Sequence, residues 1–448
     1  MSRNPGRRPD PARRVAYRVL RRVTSEGAYA NLTLAHEAAD LSTRDAAFAT
    51  ELTFGTCRAL GTYDAILTSV SSRPPAELDP PVLDLLRLGA HQLMAMRVPQ
   101  HAAVDSTVAL ARAELGPRVT GFVNAVLRKV ARYGLTDWVD WLTADAEPRD
   151  ALALATQHPR WIVDAWAEAL GDPDEAELRA ALEADNLAPV NHLVVRPGLA
   201  VVAELGGEPA RYSPFGAYAS GAPGAVPAVA EGRAGVQDEG SQLVALALSR
   251  VDTPEGPWLD LCAGPGGKAA LLAGLAIQAG TGVVASELQP HRARLVAQNL
   301  AAYSATGKGS LPVTLVADGT QPAWAPGSFA RVMADVPCSG LGALRRRPEA
   351  RWRRQPSEVA ELAGLQVALL HSALAAARPG GVVAYVTCSP HLAETRGVLE
   401  TVSGAGFLRA ADYLPEVPDA AVGDFVQLWP HRHGTDAMFL ALLRVGSG

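Results

Sequence analysis

Apolar residues recur at helical spacing through the first third of the chain. In RRVAYRVLRRV, Val15, Val19 and Val23 form one stripe, because side chains four apart share a helix face. RDAAFATELTFGTCRAL, PPVLDLLRLGAHQLMAM, AAVDSTVALARAEL and GFVNAVLRKVARYG keep the same period. Pro74-Pro75, Pro80-Pro81, Pro99 and Gly116-Pro117 punctuate them, as helix-breaking residues do. The pattern predicts a small all-α domain over 1–136, with Cys57 as a packing residue inside one helix. Residues 137–245 mix short helical runs, a strand-like VNHLVVRPG and the Gly/Pro/Ala-rich SPFGAYASGAPGAVPAV, which predicts a small α+β connecting subdomain. Over 246–448 the period changes. After the helix VQDEGSQLVALALSRV (236–251), strand, turn and helix repeat: PWLDLCAGPGGK, GVVASELQP, VTLVADGT, FARVMADVPCS and GGVVAYVTCSP read as strands, with a helix near 356–378 and closing strands in GFLRAADYL and AMFLALLRV. Near-continuous apolar strands alternating with helices predict an α/β, doubly wound, mostly parallel sheet.

In such a sheet ligands sit beyond the carboxyl ends of the strands, and polar residues gather there in this sequence. Gly264, Gly266 and Gly267 stand where the first strand turns into a helix. That turn lets backbone approach a ligand and leaves helix N–H groups facing it. It fits neither a phosphate-binding P-loop, since Ala269 follows Lys268, nor the dinucleotide pattern G-x-G-x-x-G. Glu287 ends the second strand, where an acid accepts hydrogen bonds from a ribose diol. Asp318 ends the third and is placed to receive an adenine amino group. Acids facing both sugar and base suit a nucleoside without much negative charge, and the sulfonium cation of S-adenosylmethionine fits better than a dinucleotide. Either acid could instead cap a strand end. Asp335 and Cys338 end the fourth strand and Cys388 the fifth. Neighbouring strands lie ~4.8 Å apart, so both thiols can reach one pocket. No C-x-x-C and no histidine at ligand spacing accompanies them, so no metal is expected. His431 and His433 read as solvated loop residues.

Composition adds little except through arginine. The 448 residues are 48% hydrophobic and 19% charged with a net charge of −5, which describes a folded chain with no overall nucleic-acid charge signature. No run approaches the ~20 uninterrupted apolar residues of a membrane span. The first 22 residues lack an apolar signal core. Four scattered cysteines fit a reducing cytosol. Arg3, Arg7, Arg8, Arg13, Arg14, Arg18, Arg21 and Arg22 crowd one end, and Arg345, Arg346, Arg347, Arg351, Arg353 and Arg354 follow Cys338. Such clusters suit phosphate backbones or are simply solvated faces. A thiolate near positive charge becomes a usable nucleophile.

DLCAGPGGK, DVPCSG and VTCSP resemble three signature motifs of the Sun-type (Fmu/RsmB-like) RNA cytosine-C5 methyltransferases. VQDEGSQ is similar to that family's lead-in motif and GTDAMFLALL to its final strand, while the all-α third, with GFVNAVLRK, resembles a NusB-like RNA-binding domain. The resemblance spans nearly the whole chain. It implies a Rossmann-like methyltransferase sheet that binds S-adenosylmethionine through Cys262, Ala263, Gly264, Pro265, Gly266, Gly267, Lys268, Glu287, Asp318 and Asp335. It also implies Cys388 as the nucleophile, Cys338 in product release, Asp335 on the base edge and Lys268 beside it, with Arg345, Arg346, Arg347 and Arg351 on RNA. The implied substrate is small-subunit (16S) ribosomal RNA, acted on in the cytoplasm by a monomer. The same chemistry on transfer RNA or DNA, or a non-catalytic RNA-binding factor of antitermination type, are the alternatives. CAGPGGKAA stands where the family usually has AAPGGKT, and Pro197 where it often has Asn.

Overall fold

A computed structural model describes residues 9–219, 221–304 and 311–446; Arg3, Arg7 and Arg8 lie outside them. The chain divides into two units, Met1–Asn186 with Leu344–Arg354, and Leu187–Ala343 with Gln355–Gly448.

The first unit is helical. Its opening helix, Pro11–Glu26, is started by Asp10, whose side chain accepts from Arg13 N, and stopped by Gly27 in the left-handed region at φ 66°. Val15, Val19 and Val23 are buried in its core with Leu52, Cys57, Tyr63, Ile66 and Leu85, as their spacing predicts. The basic residues of this helix are largely committed to acids: Arg14 to Glu114 (2.6 Å), Arg21 to Asp84 (2.7 Å) and Arg22 to Glu26 (3.4 Å). The helical region does not stop at 136. Helices Leu135–Leu142, Pro148–Ala155, Arg160–Leu170 and Glu175–Ala184 belong to the same unit. Trp138 packs into the unit's core, and Thr62 Oγ1 donates to Leu154 O at 3.1 Å.

The second unit carries two sheets. Strands β1 (Asn191–Val195), β2 (Glu208–Pro209), β3 (Gly216–Ala219) and β4 (Ala234–Val236) form a small antiparallel sheet in the order β2-β3-β1-β4. The larger sheet comprises β5 (Trp258–Asp260), β6 (Val283–Glu287), β7 (Val313–Val316), β8 (Phe329–Asp335), β9 (Ala377–Thr387), β10 (Ala405–Leu408), β11 (Ala421–Val422), β12 (Phe425–Gln427) and β13 (Phe439–Val445). Its order is β11-β12-β13-β9-β8-β5-β6-β7, with β10 on β13. β7-β6-β5-β8-β9 are parallel and β13 joins β9 antiparallel. Val382, Val383, Ala384, Tyr385 and Val386 on β9 are all at 0% exposure. Both faces of that strand are therefore covered, and each large apolar side chain contributes roughly 1.5–3 kcal/mol. Helix Pro356–Ala376 is long and apolar enough to span a bilayer by composition alone; here Leu369, Leu370 and Ala373 pack into the core beside β8 and β9. The strand order reverses between β5 and β8, the switch point at which a doubly wound sheet opens a crevice.

Pro197 packs structurally: its carbonyl accepts from Tyr303 Oη at 3.3 Å. His433 is buried rather than solvated. Trp429 N donates to its Nδ1 at 2.8 Å and its Nε2 lies 3.0 Å from Pro418 O, so it ties two loops together.

Candidate active site

The glycine turn follows β5 and delivers the chain into helix Gly267–Gln278. Gly266 has φ 113°, a conformation that L side chains rarely adopt. Gly264 faces Glu287: a Cβ there would fall 2.1 Å from Glu287 Oε2. Glu287, nearly buried at the end of β6, accepts from Gly264 N (3.1 Å) and Gln289 N (2.9 Å), and Arg292 Nη1 stands 3.6 Å from it. Asp318, half-buried past β7, accepts from Thr320 N (2.9 Å) and Oγ1 (2.7 Å). Those two donors hold its carboxyl below the ordinary range. The turn and both acids thus line consecutive strand ends, as expected. Cys262 and Ala263 lie in the turn, where Ala263 N donates to Ser286 O at 2.8 Å. Burial, helped by the neighbouring acids, pushes the Cys262 thiol well above its ordinary range, so it is no thiolate.

Across the switch point, Lys268 Nζ lies 3.0 Å from Asp335 Oδ2 at the end of β8. Burial works against the lysine's charge, but Asp335 more than offsets it and lifts the ammonium above its ordinary range. Asp260, the first residue of DLCAGPGGK but not among the expected site residues, sits fully buried at the end of β5. Burial and the charge of Asp335 push it up to about 8, so much of it is neutral at pH 7. An acid inside the apolar run PWLDLC was the available signal.

The thiols meet. Cys338 Sγ and Cys388 Sγ are 3.3 Å apart, brought together by the parallel pairing of β8 and β9, in which Asp335 opposes Val386. They are not equivalent. A hydrogen bond from Cys338 holds Cys388 below the ordinary thiol range, with Lys268 assisting against burial and Asp335. Cys338 moves well upward, first through that same bond and then through burial. Of the two, Cys388 is therefore the more acidic thiol and Cys338 the one that holds its proton more tightly. The serines following each cysteine, with Glu394 and Gln366, were also missed; their partners lie tens of residues away.

The arginine cluster departs from expectation. Residues 344–354 leave the second unit and pack in the helical one. Arg351 is fully buried: its guanidinium donates to Gln157 O (2.8 Å), Asn186 Oδ1 (2.7 Å) and Asp185 Oδ2 (3.3 Å). Those acceptors leave it facing protein, so it is not an RNA contact. Trp352 Nε1 donates to Arg58 O at 2.8 Å, and its ring occupies the space that a Cβ on Gly61 would need. Arg345 is 8% exposed. Arg346 is half-buried and Arg347 exposed, the latter stacked 5.3 Å from the Tyr29 ring centroid. Arg346 and Arg347 are the two of the four sequence-predicted arginines with substantial solvent exposure.

Residues 244–444 match the family described as 16S rRNA methyltransferase RsmB/F, and residues 10–132 match the NusB family. The chain is 52% identical to a putative methyltransferase of Mycobacterium tuberculosis, over 99% of this chain and 98% of that one. It is 30% identical to the probable ribosomal RNA small subunit methyltransferase B of Bacillus subtilis, over 96% and 98%. The crystal structure of PH0851 covers 99% of both chains at a TM-score of 0.77 and 20% identity. NSun6 from Pyrococcus horikoshii, solved with SFG, covers 64% of this chain and 98% of its own at 0.52 and 16%. At those identities the two structures speak for the fold alone.

Proposed function

Since the chain belongs to the RsmB/F family of S-adenosylmethionine-dependent RNA methyltransferases, we propose that it methylates C5 of a cytosine in 16S ribosomal RNA through a covalent adduct on Cys388. The observation that carries this reading is the thiol pair: two sulfurs 3.3 Å apart with opposite acidities, beside Lys268–Asp335 at the sheet's switch point.

The residues present fit the cofactor. Gly264 and Gly266 bring bare backbone to the head of helix Gly267–Gln278, and Glu287 and Asp318 end the two strands beyond. Glu287 would hold the sugar of the bound nucleoside and Asp318 its base. Bound there, S-adenosylmethionine supplies an electrophilic methyl group.

The chain's own residues do the rest. C5 of cytosine is a weak nucleophile until the ring loses its aromaticity. Attack of the Cys388 thiolate on C6 breaks the ring's conjugation and makes C5 enamine-like. Asp335 accepts a hydrogen bond from the exocyclic amino group on the N3/N4 edge of the base and supports protonation at N3 as the adduct forms, and the Lys268 ammonium is the fixed positive charge beside the ring as negative charge builds there. After C5 is methylated, a base takes the C5 proton and the freed electron pair re-forms the C5–C6 double bond as the Cys388 thiolate leaves C6; Cys338, touching Cys388, serves this release. The target base must leave its stack to reach the pocket. Of the four arginines the resemblance assigns to RNA, Arg347 is the exposed one and the one this reading offers to RNA phosphate.

The test is methylation of unmodified 16S ribosomal RNA and of bulk transfer RNA, followed by nucleoside mass spectrometry. The reading expects 5-methylcytidine in the ribosomal RNA alone. Product confined to transfer RNA, or a methyl group on another atom, contradicts it.

A further inference from the structure

Directly behind the thiols lies a buried polar cluster that the reaction as described does not use. Glu394 ends the short turn Leu392–Glu394 after β9 and is fully buried. Its Oε1 accepts from Ser339 N at 2.7 Å and from Gln366 Nε2 at 3.1 Å, and its Oε2 accepts from Ser339 Oγ. Ser339 Oγ in turn lies 3.1 Å from Ser389 Oγ, whose proton it can accept. Gln366 Nε2 also donates to Pro337 O at 2.8 Å, and Tyr385 Oη donates to Glu394 O at 2.7 Å. Pro337 and Ser339 flank Cys338, and Ser389 follows Cys388. One carboxylate therefore grips both loops that carry the thiols.

Ser339 N, Ser339 Oγ and Gln366 Nε2 all donate to the Glu394 carboxylate. A glutamine can keep its Oε1 on Ser339 N and Gln366 Nε2 and donate from Nε2 to Ser339 Oγ, whose own proton then turns to Ser389 Oγ, so it removes the charge while the loops stay bridged. The charge also matters at short range. The charged groups that act on the two sulfurs are Asp335, Lys268, Asp436 and Glu394. Among the causes acting on them, Glu394 bears on Cys338, where it favours the protonated form.

We infer that Glu394 is a positioning residue for the thiol chemistry: by holding Ser339 and, through it, Ser389, its carboxylate sets the approach of the two sulfurs and fixes Cys338 as the donor to Cys388. The inference rests on the reading of these thiols as catalytic, and its test does not use methyl transfer. With the full chain under a phosphine reductant, iodoacetamide labelling of each cysteine is followed by peptide mass spectrometry from pH 5 to 10, in wild type, Glu394→Gln and Ser339→Ala. Wild type should label at Cys388 first, with the buried Cys57 as a slow internal reference. In Glu394→Gln the charge that favours the protonated form of Cys338 is gone, so the two profiles should converge. Cys388 labelling at pH 7 should fall about three- to tenfold, since one pKa unit is a factor of ten. Ser339→Ala keeps the charge and the Ser339 N bond but breaks the bridge to Ser389, and should move the same profiles by less; it carries the test if Glu394→Gln fails to fold. Folded variants whose profiles coincide with wild type overturn the inference, because a merely structural glutamate would alter melting and leave the thiols unchanged. A wild type that labels first at Cys338 contradicts the thiol roles proposed above; converging profiles would then still support the role of Glu394, and coincident ones would overturn it.

Discussion

Replacing Arg351 with methionine keeps the volume of the side chain but removes the cation paired with Asp185. Both side chains are at 0% exposure, and three hydrogen bonds from the guanidinium disappear with it. Removing one partner of a buried pair strands the other charge and costs about 3–5 kcal/mol. Asp185 is then left with His158, whose Nε2 is 3.2 Å away. In the wild type, burial first and the charge of Arg351 second depress that imidazole from 6.5 to about 4. The unfolded chain therefore takes up a proton before the folded one as pH falls. Wild-type stability declines between pH 6.5 and 4, by about 3 kcal/mol for this group. Without Arg351 the depression shrinks, His158 charges inside the fold opposite Asp185, and the acid-side decline should be smaller. Native-state hydrogen exchange in helix Arg160–Leu170 reads the first unit separately from the second. At pH 7.5 its opening free energy should drop by about 3–5 kcal/mol in Arg351→Met, and the gap to wild type should narrow at pH 5. A change below about 1 kcal/mol at pH 7.5 refutes the reasoning. So does a fall of about one in the salt slope of RNA binding, the mark of a lost phosphate contact.

Lys268→Met removes the ammonium 3.0 Å from Asp335. Single-turnover methyl transfer should slow by ~10²–10³ with the melting temperature little changed, and a rate within threefold of wild type would rule out its electrostatic role. Gly264→Ala places a methyl 2.1 Å from Glu287 Oε2, so turn or acid must move. Calorimetric affinity for S-adenosylmethionine should weaken at least about tenfold, or 1.4 kcal/mol, while hydrogen exchange in the helical unit stays at wild type.

What the sequence could show depended on how local the signal was. Glu287, Asp318, Asp335, Cys338 and Cys388 were legible because each interrupts an apolar strand at its end, and a doubly wound sheet brings such ends to one edge. The unequal thiols were not: their difference rests on a 3.3 Å contact between residues 50 apart. Glu394 was hidden for the same reason, since its donors come from Ser339 and Gln366, 55 and 28 positions away. The arginines after Cys338 misled in the opposite direction. A basic run reads as a solvated or nucleic-acid face, yet Arg351 belongs to the helical unit and finds its acid 166 residues back, at the end of helix Glu175–Ala184. The extension of the helical unit to Asn186 was likewise invisible, because short helices with mixed loops carry no mark of what they pack against.

The central claim is that Cys388 attacks the base and Cys338 completes release. Wild type, Cys338→Ala and Cys388→Ala incubated with unmodified 16S ribosomal RNA and S-adenosylmethionine, then run on a denaturing gel, test it most directly. The account predicts a protein–RNA adduct that accumulates in Cys338→Ala and is absent from Cys388→Ala. An adduct that survives in Cys388→Ala, or that builds up only there, contradicts it.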